Sequence, residues 1–242
     1  VLTDRDFWRS MLNTLILMAM SLGLGIPSAL ILASMINSLK KGKSIFKIGF
    51  FIPNLTSIVI VIIVMRFIFN SSEKGLANVL LSLFGIKPVE WFVDPKISKL
   101  TVTLAGLWSG IGYTTLLYMA GLQVISEQLY EAAEIDGASS FQKFKFITLP
   151  GVKNTTLFLL VTGVISGFQR FQDVYILSGN GWRIDKNLQT AMMYVFTKNF
   201  STNSAMNTGQ AMAGGVVLGV IMFIVIAVLN RYMGISKGSR LT

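Results

Sequence analysis

The chain has 242 residues, of which 52% are hydrophobic and only 13% are charged. An average soluble domain carries about 25% charged residues, so this sequence has too little charge to cover a soluble fold and predicts a polytopic membrane protein. It contains neither cysteine nor histidine, which excludes disulfides, thiolate metal sites and catalysis by either side chain. The net charge of +10 lies in loops beside apolar stretches, where basic residues set topology and meet anionic lipid, so we expect no nucleic acid partner.

Five apolar stretches are long enough to cross a bilayer as helices, which takes about 20 residues each. Helices are favoured over strands because backbone groups in lipid must be paired within the segment. The predicted spans cover about residues 11–36, 50–69, 100–125, 155–177 and 211–229. The whole chain, 1–242, is therefore predicted to form one all-α transmembrane domain.

The links between the spans differ in their charges. Residues 37–49 and 230–242 contain Lys and Arg but no acid, so the positive-inside rule places both in the cytoplasm. Alternation then places the link 126–154 inside as well, and it places 1–10, 70–99 and 172–210 outside. Five spans leave the first residue outside, and we therefore expect a further helix upstream of it.

The inside link that follows the third span has a strong local pattern. Residues 127–136 favour a helix, and Gly137 suits the left-handed position that ends one. Ser139, with Gln142 three residues later, is a capping-box pattern for a second helix. Leu149-Pro150 is expected to end that helix, because proline lacks an N–H and restricts the residue before it. The pattern predicts two short helices separated by a glycine.

This loop is too polar to enter lipid, yet it carries many apolar side chains. So much apolar surface in a cytoplasmic loop indicates a partner, with a helix docking into a groove of that partner. The alternative is a loop that folds back onto the ends of the protein's own helices. The pattern leaves both open for Leu129, Tyr130, Ala132, Ala133, Phe141, Phe144 and Ile147.

The same loop resembles the EAA motif of ABC importer permeases, which reads EAA, three residues, Gly, nine residues and Ile-x-Leu-Pro. Every position and interval of that motif is matched here. The resemblance implies that the loop docks into a cleft on a cytoplasmic ATPase subunit, with Glu131 pairing with a basic group there. The coupling residues it implies are Glu131, Ala132, Ala133, Asp136, Gly137, Ile147, Leu149 and Pro150.

Further segments are similar to the maltose-type sugar permeases. They include Phe51-Ile52-Pro53, Trp91-Phe92-x-Asp94-Pro95 and the stretch 177–181, where Trp182 replaces the usual proline. The resemblance implies a type I ABC importer transmembrane domain in which five spans of a six-helix core are present. It also implies a permease that moves a sugar or oligosaccharide, neutral or acidic, across the cytoplasmic membrane of a prokaryote by alternating access.

The family resemblance also implies the partners. They are a second, different permease subunit, two cytoplasmic ATPase subunits, an extracytoplasmic binding protein and membrane lipid. The chain is expected to bind no cofactor and to catalyse nothing, with ATP and Mg held by the ATPase subunits, because the sequence has no GxxxxGK[ST] pattern. The alternatives are an ABC permease for a non-sugar solute, which the sugar-type segments argue against, and an ATP-independent carrier or scaffold.

Two polar clusters inside the spans are candidates for the substrate pathway. Aromatic and hydroxyl side chains on the third span suit sugars, and the alternative is helix packing by small and polar residues. In the fourth span, the resemblance aligns Gln169 and Arg170 with a polar doublet that faces the sugar. The predicted pathway residues are Trp108, Gly110, Tyr113, Phe168, Gln169, Arg170, Gln172 and Asp173; no metal site is expected.

The spacing on these spans leaves two points open. Trp108 and Thr115 lie seven residues apart on one helix face, with Tyr118 three further on, and that face is the candidate cavity wall. Arg170 and Asp173 are three apart and could pair. A paired arginine favours a neutral cargo, whereas an unpaired one could bind a carboxylate or phosphate.

Overall fold

The computed structural model describes residues 1–39, 41–177, 186–200 and 204–233. All regular structure within these ranges is helical, which confirms the all-α fold class. The helices are α1 Arg5–Ser38, α2 Lys43–Leu55, α3 Ile58–Ile68, α4 Leu76–Ser82, α5 Ser98–Gln123, α6 Glu127–Ile135, α7 Ser140–Lys143, a π-helical turn Phe144–Thr148, α8 Leu149–Gly151, α9 Lys153–Phe168, α10 Gln172–Leu177, α11 Ala191–Phe200 and α12 Ser204–Met233.

Three of these helices are each long and apolar enough to cross a membrane alone. They are α1, α5 and the part of α12 from Thr208 to Arg231. Two bent pairs, α2 with α3 and Ser140–Gly151 with α9, bring the number of candidate spans to five if each pair counts as one. The first bend lies within the predicted span 50–69, where the hydropathy pattern predicts a straight helix, and the second lies before the predicted span 155–177.

The second predicted span, 50–69, is not a single helix. The axes of α2 and α3 meet at 97°, and Thr56 between them has extended backbone angles, φ −79° and ψ 136°. Pro53 contributes to the break because it has no N–H to donate to the carbonyl four residues earlier. Hydropathy detects the apolar run but not its change of direction.

The fourth predicted span, 155–177, is also interrupted. Helix α9 ends at Phe168, and residues 169–171 turn the chain before α10 begins. The hydroxyl of Thr190 donates to the carbonyl of Arg170 over 2.7 Å, which satisfies a backbone acceptor near the helix end. The sugar-permease-like stretch 177–181 and Trp182 lie, from residue 178 onward, outside the described residues.

Helix α1 packs against α5, α9 and α11 and forms the centre of the bundle. Near its carboxyl end it contributes Ala29 and Ala33 to an apolar cluster with Tyr118 of α5. Near its amino end Phe7 packs with Phe168 and other residues of a second cluster. We call the first region the loop end of the bundle and the second the opposite end.

Polar contacts hold α1 to α11 at the opposite end. The Tyr194 hydroxyl donates to Asp4 Oδ2 over 2.5 Å, and the Asp4 side chain also caps α1 by accepting from the N–H of Asp6. The hydrogen bond from Tyr194 is the largest cause that lowers the pKa of Asp4, and desolvation opposes it. The Thr14 hydroxyl accepts from the N–H of Ala191 over 2.8 Å. These contacts fix the angle at which α11 meets α1.

Helix α2 crosses α5 at a point where only a glycine fits. A Cβ added at Gly112 would collide with the backbone carbonyl of Phe50. Two residues earlier, a Cβ added at Gly110 would meet no atom within 4 Å. Small residues commonly allow such close backbone approach between membrane helices.

We predict that Gly112→Ala displaces α2 and destabilises the protein by roughly 1–3 kcal/mol through overpacking. This outweighs the better helix propensity of alanine, which is worth about 1 kcal/mol. The thermal unfolding midpoint of the purified protein in detergent measures the effect. Gly110→Ala is the matched control and should unfold at or above the wild-type midpoint; equal midpoints for the two variants would contradict the crossing.

Candidate functional site

The helical loop, residues 124–152, has the two-helix form that its sequence predicts. Helix α6 ends at Ile135, and Gly137 adopts φ 77°, which confirms the left-handed turn. The N–H of Ala138 donates to the carbonyl of Ala133 over 2.8 Å, so a carbonyl at the end of α6 is paired. The glycine therefore reverses the chain without leaving that carbonyl open.

The start of the second helix is held by side chains. The predicted capping box is confirmed: the N–H of Gln142 donates to Ser139 Oγ over 3.3 Å, and the N–H of Ser139 donates to Gln142 Oε1 over 2.7 Å. Across the glycine, Lys143 pairs with Glu134. The hydrogen bond from Lys143, and then its charge, lower the pKa of the Glu134 carboxyl. The capping box orders the start of α7, and the Lys143–Glu134 pair links α7 to α6.

The second helix continues past the predicted stop at Pro150. It passes through a π-helical turn, in which the N–H of Leu149 donates to the carbonyl of Phe144 five residues earlier, and it ends at Gly151. The chain then bends by 62° into α9. The hydroxyls of Tyr130 and Thr148 lie 2.9 Å apart in a hydrogen bond that ties α6 to the π turn.

The loop presents an exposed apolar surface. Ile135 is 88% exposed, Phe141 71% and Phe146 67%, and we call these three residues the loop patch. Phe141 is among the apolar loop residues predicted from the sequence, whereas Ile135 and Phe146 are not. Of the other predicted apolar residues, Leu129 and Ala132 are exposed, whereas Tyr130, Ala133, Phe144 and Ile147 are half-buried. Phe144 packs against the apolar cluster at the loop end of the bundle. Both sequence alternatives therefore describe part of the loop.

The EAA-like residues are largely accessible. Ala133 and Ile147 are half-buried, and Glu131 also lines a cleft of about 500 Å³ between α6 and the end of α1. Two further carboxylates, Glu127 and Glu134, line the same cleft. The exposed members are Glu131, Ala132, Asp136, Gly137, Leu149 and Pro150.

A second candidate region is a partly open cavity of about 360 Å³ between α1, α5 and α9, in whose wall Tyr113 is 49% and Phe158 53% exposed. We call it the bundle cavity. Its volume lies within the range of small-molecule sites, about 300–1,000 Å³. Of the predicted pathway residues, Gly110 and Tyr113 line it. The polar side chains of its wall are those of Ser21, Tyr113, Thr114, Thr162 and Ser166.

Four of these five polar wall residues, all but Tyr113, are not among the predicted pathway residues. Thr162 and Ser166 are four residues apart on α9, and Ser21 lies four residues before Gly25 on α1. Residues four apart share a helix face, so a search for small and polar pairs at this spacing could have found them.

Trp108 does not line the bundle cavity. It lies over an apolar recess between α2 and α5. Thr115 and Tyr118, which share its predicted face, are buried, and the Tyr118 hydroxyl bonds that of Thr156 over 2.9 Å. Helix packing, the alternative for this face, therefore accounts for both residues, and the cavity is formed by the neighbouring face of α5.

The predicted cluster at the end of α9 is divided among different surroundings. Phe168 is fully buried in the apolar cluster of the opposite end, where it packs rather than faces a cavity. Gln169 and Gln172 are exposed at the break between α9 and α10. Arg170 and Asp173 lie together in the interior.

Arg170 and Asp173 form a largely buried ion pair, which confirms the pairing alternative. Arg170 Nε donates to Asp173 Oδ2 over 2.7 Å, and Nη2 lies 2.6 Å from the same oxygen. Each side chain is 13% exposed. Arg170 Nη1 donates to Ser21 Oγ over 3.1 Å and Nη2 to the carbonyl of Val102 over 3.2 Å. The guanidinium thereby joins α1, α5 and α10.

We predict that Asp173→Asn destabilises the protein by roughly 3–5 kcal/mol, because breaking a buried pair leaves an uncompensated charge. The thermal unfolding midpoint in detergent measures it. The double variant Arg170→Gln with Asp173→Asn keeps polar side chains without charge and should be less destabilised than the sum of the two single variants. Strict additivity would contradict a coupled pair.

Comparisons with known proteins give one consistent picture. A family model described as binding-protein-dependent transport system inner membrane component matches residues 21–235. The arabinooligosaccharides transport system permease protein AraP of Bacillus subtilis is 34% identical over 238 residues, which cover 98% of this chain and 75% of that protein. The trehalose/maltose transport system permease protein MalF of Thermococcus litoralis is 35% identical over 181 residues, or 75% of this chain and 61% of that protein.

A solved structure shares the fold. It is a bacterial ABC transporter involved in the import of the acidic polysaccharide alginate, and one of its chains matches with a TM-score of 0.83 at 23% identity. The match covers 99% of this chain and 82% of that chain. At this identity the likeness shows the fold of an ABC importer transmembrane domain.

Proposed function

Because the chain belongs to the family of inner membrane components of binding-protein-dependent transport systems, and is a multi-pass permease of the carbohydrate-uptake type, we propose that it carries a sugar or oligosaccharide through the bundle cavity in response to ATP hydrolysis by a partner. The single observation that carries this proposal is the exposed loop patch on a loop whose two helices are fixed by side-chain contacts. A rigid, apolar projection is suited to docking and to transmitting movement.

The loop is connected directly to the walls of the bundle cavity. Helix α6 begins four residues after α5 ends, and α8 passes into α9 through a single bend at Val152. Both α5 and α9 line the cavity. A displacement of the loop would therefore move two of the three cavity walls, which is the connection that alternating access requires.

The partners follow from this mechanism. Two cytoplasmic ATPase subunits would hold ATP and Mg, and one of them would receive the loop patch, while this chain binds no cofactor and is not catalytic. A second permease subunit would complete the pathway, and a binding protein would deliver the sugar at the opposite end. The family description supports the binding protein. The prokaryotic cytoplasmic membrane is the location that the bacterial relatives support.

The cavity wall fits a sugar chemically. Tyr113 offers an aromatic face and a hydroxyl, and Thr114, Thr162 and Ser166 offer further hydroxyls. Specific sites place a few polar groups in a mostly apolar pocket, which fixes the orientation of a ligand. The relatives' cargoes, arabinooligosaccharides and trehalose or maltose, support a saccharide of this kind.

We predict that Gly137→Val uncouples the transporter. Valine strains a backbone at φ 77° because a β-branched side chain clashes there, so the loop patch would be misplaced. Sugar-stimulated ATP hydrolysis by the reconstituted transporter should fall at least tenfold, with normal membrane insertion. Gly137→Asn is the matched control, since asparagine tolerates this conformation, and it should retain most activity. Wild-type stimulation in the valine variant would exclude the coupling role.

We predict that Gly110→Leu blocks uptake by filling the bundle cavity. A Cβ at this position meets no atom within 4 Å, so the side chain can project without displacing a helix. Uptake of maltotriose and arabinotriose into proteoliposomes should fall at least tenfold, whereas Gly110→Ala should remain near wild type. Undiminished uptake by the leucine variant would remove the cavity from the pathway.

A further inference from the structure

We propose that Asp173 is a specificity-determining residue that restricts the cargo to uncharged saccharides by cancelling the charge of Arg170 behind the cavity wall. This inference rests on the proposed function, because it assumes that the bundle cavity is the sugar pathway. The sequence is compatible with either a neutral or an acidic saccharide as cargo, and the pairing of Asp173 with Arg170 favours the neutral one.

The described wall of the bundle cavity bears no charge. Its polar side chains are hydroxyls, and the remaining residues that line it are glycines and apolar side chains. Burial of an ionised carboxylate without a counter-charge is strongly unfavourable. A wall of this kind can accept a neutral sugar by hydrogen bonding, and it offers nothing to compensate a uronic acid.

The three helices that line the cavity place their charges far from it. In α1 the charged residues are Arg5, Asp6 and Arg9, all in the first five positions, and the next 29 residues to Ser38 carry none. In α5 the single charged residue is Lys99, and in α9 it is Lys153, each within the first two positions of its helix. No cation on these helices faces the cavity.

Among the described residues, Arg170 is a cation that contacts the wall from behind. Its Nη1 donates to the hydroxyl of Ser21, and Ser21 itself lines the cavity. On the same side, a Cβ added at the wall residue Gly106 would lie 3.5 Å from Arg170 Nη2. The guanidinium therefore sits directly behind the wall, where an unpaired positive charge would attract an anionic ligand.

The ion pair prevents that attraction. All three guanidinium nitrogens already have protein partners: Asp173 for Nε and Nη2, Val102 for Nη2, and Ser21 for Nη1. Bidentate recognition of a carboxylate needs two parallel N–H donors that are free. Asp173 occupies that edge of the guanidinium as an internal carboxylate, so a ligand carboxylate would have to displace it.

The test uses the complete transporter in nanodiscs without its binding protein, so that the binding protein's own selectivity does not enter. Equilibrium dialysis measures radiolabelled trigalacturonate and its fully methyl-esterified, uncharged form, with maltotriose and arabinotriose as further neutral probes. We expect the wild type to bind at least one neutral probe and to bind trigalacturonate at least tenfold more weakly than its ester.

Asp173→Asn should remove this preference, with trigalacturonate binding strengthened at least tenfold at low ionic strength. In the double variant Arg170→Gln with Asp173→Asn, the strengthened binding of trigalacturonate should disappear, because neither charge of the ion pair remains. Both variants are compared at a temperature below their unfolding midpoints. A purely structural role for Asp173 would weaken all probes together and would not change their order, and that result would overturn the proposal.

Gly110→Leu separates failure of this inference from failure of the proposed function. If trigalacturonate binds the wild type as tightly as its ester, and Gly110→Leu abolishes that binding, the cavity is the pathway and the charge selectivity is wrong. If no probe of either kind shows binding that depends on Gly110, the cavity is not the sugar site and both proposals fall.

Discussion

The buried guanidinium of Arg170 is the interaction on which the arrangement of the helices depends. It contacts a hydroxyl of α1, a backbone carbonyl of α5 and the carboxylate of Asp173 in α10. Its own carbonyl accepts from Thr190, immediately before α11. A cation with this little exposure needs a counter-charge and hydrogen-bond acceptors, and these come from different helices. Because the partners of the Arg170 guanidinium come from several helices, its hydrogen bonds and ion pair fix where those helices meet.

The same residue lies at the break that ends α9. In a straight helix through residues 155–177 the carbonyl of Arg170 would accept from the backbone N–H four residues later, whereas at the break it accepts from the hydroxyl of Thr190. The break exposes Gln169 and Gln172 and buries the charged pair. The most polar segment among the predicted spans is thus accommodated by interrupting the helix, with the apolar Phe168 anchored in the core.

The helical loop and the bundle cavity lie at different levels of the bundle but share α5 and α9. Local contacts fix the loop: a left-handed glycine, a capping box and a salt bridge, all between residues close in sequence. The cavity is formed by residues distant in sequence, such as Ser21, Gly110 and Ser166. The loop is joined to two of the cavity's three walls, which provides a mechanical connection between the loop patch and the bundle cavity.

The sequence by itself determined the all-α membrane class, the family, the two-helix loop with its glycine and capping box, and the possibility of an Arg170–Asp173 pair. Each of these depends on composition or on residues within a few positions of one another, where helix geometry fixes the distances. Only the tertiary structure decided that α2 and α3 diverge by 97°, that Trp108 and Phe168 lie away from the bundle cavity, and that Ser21, Thr162 and Ser166 line it. The spacing along one helix tells which side chains share a face, but which face is buried, and against what, is set by neighbouring helices that are far away in the sequence.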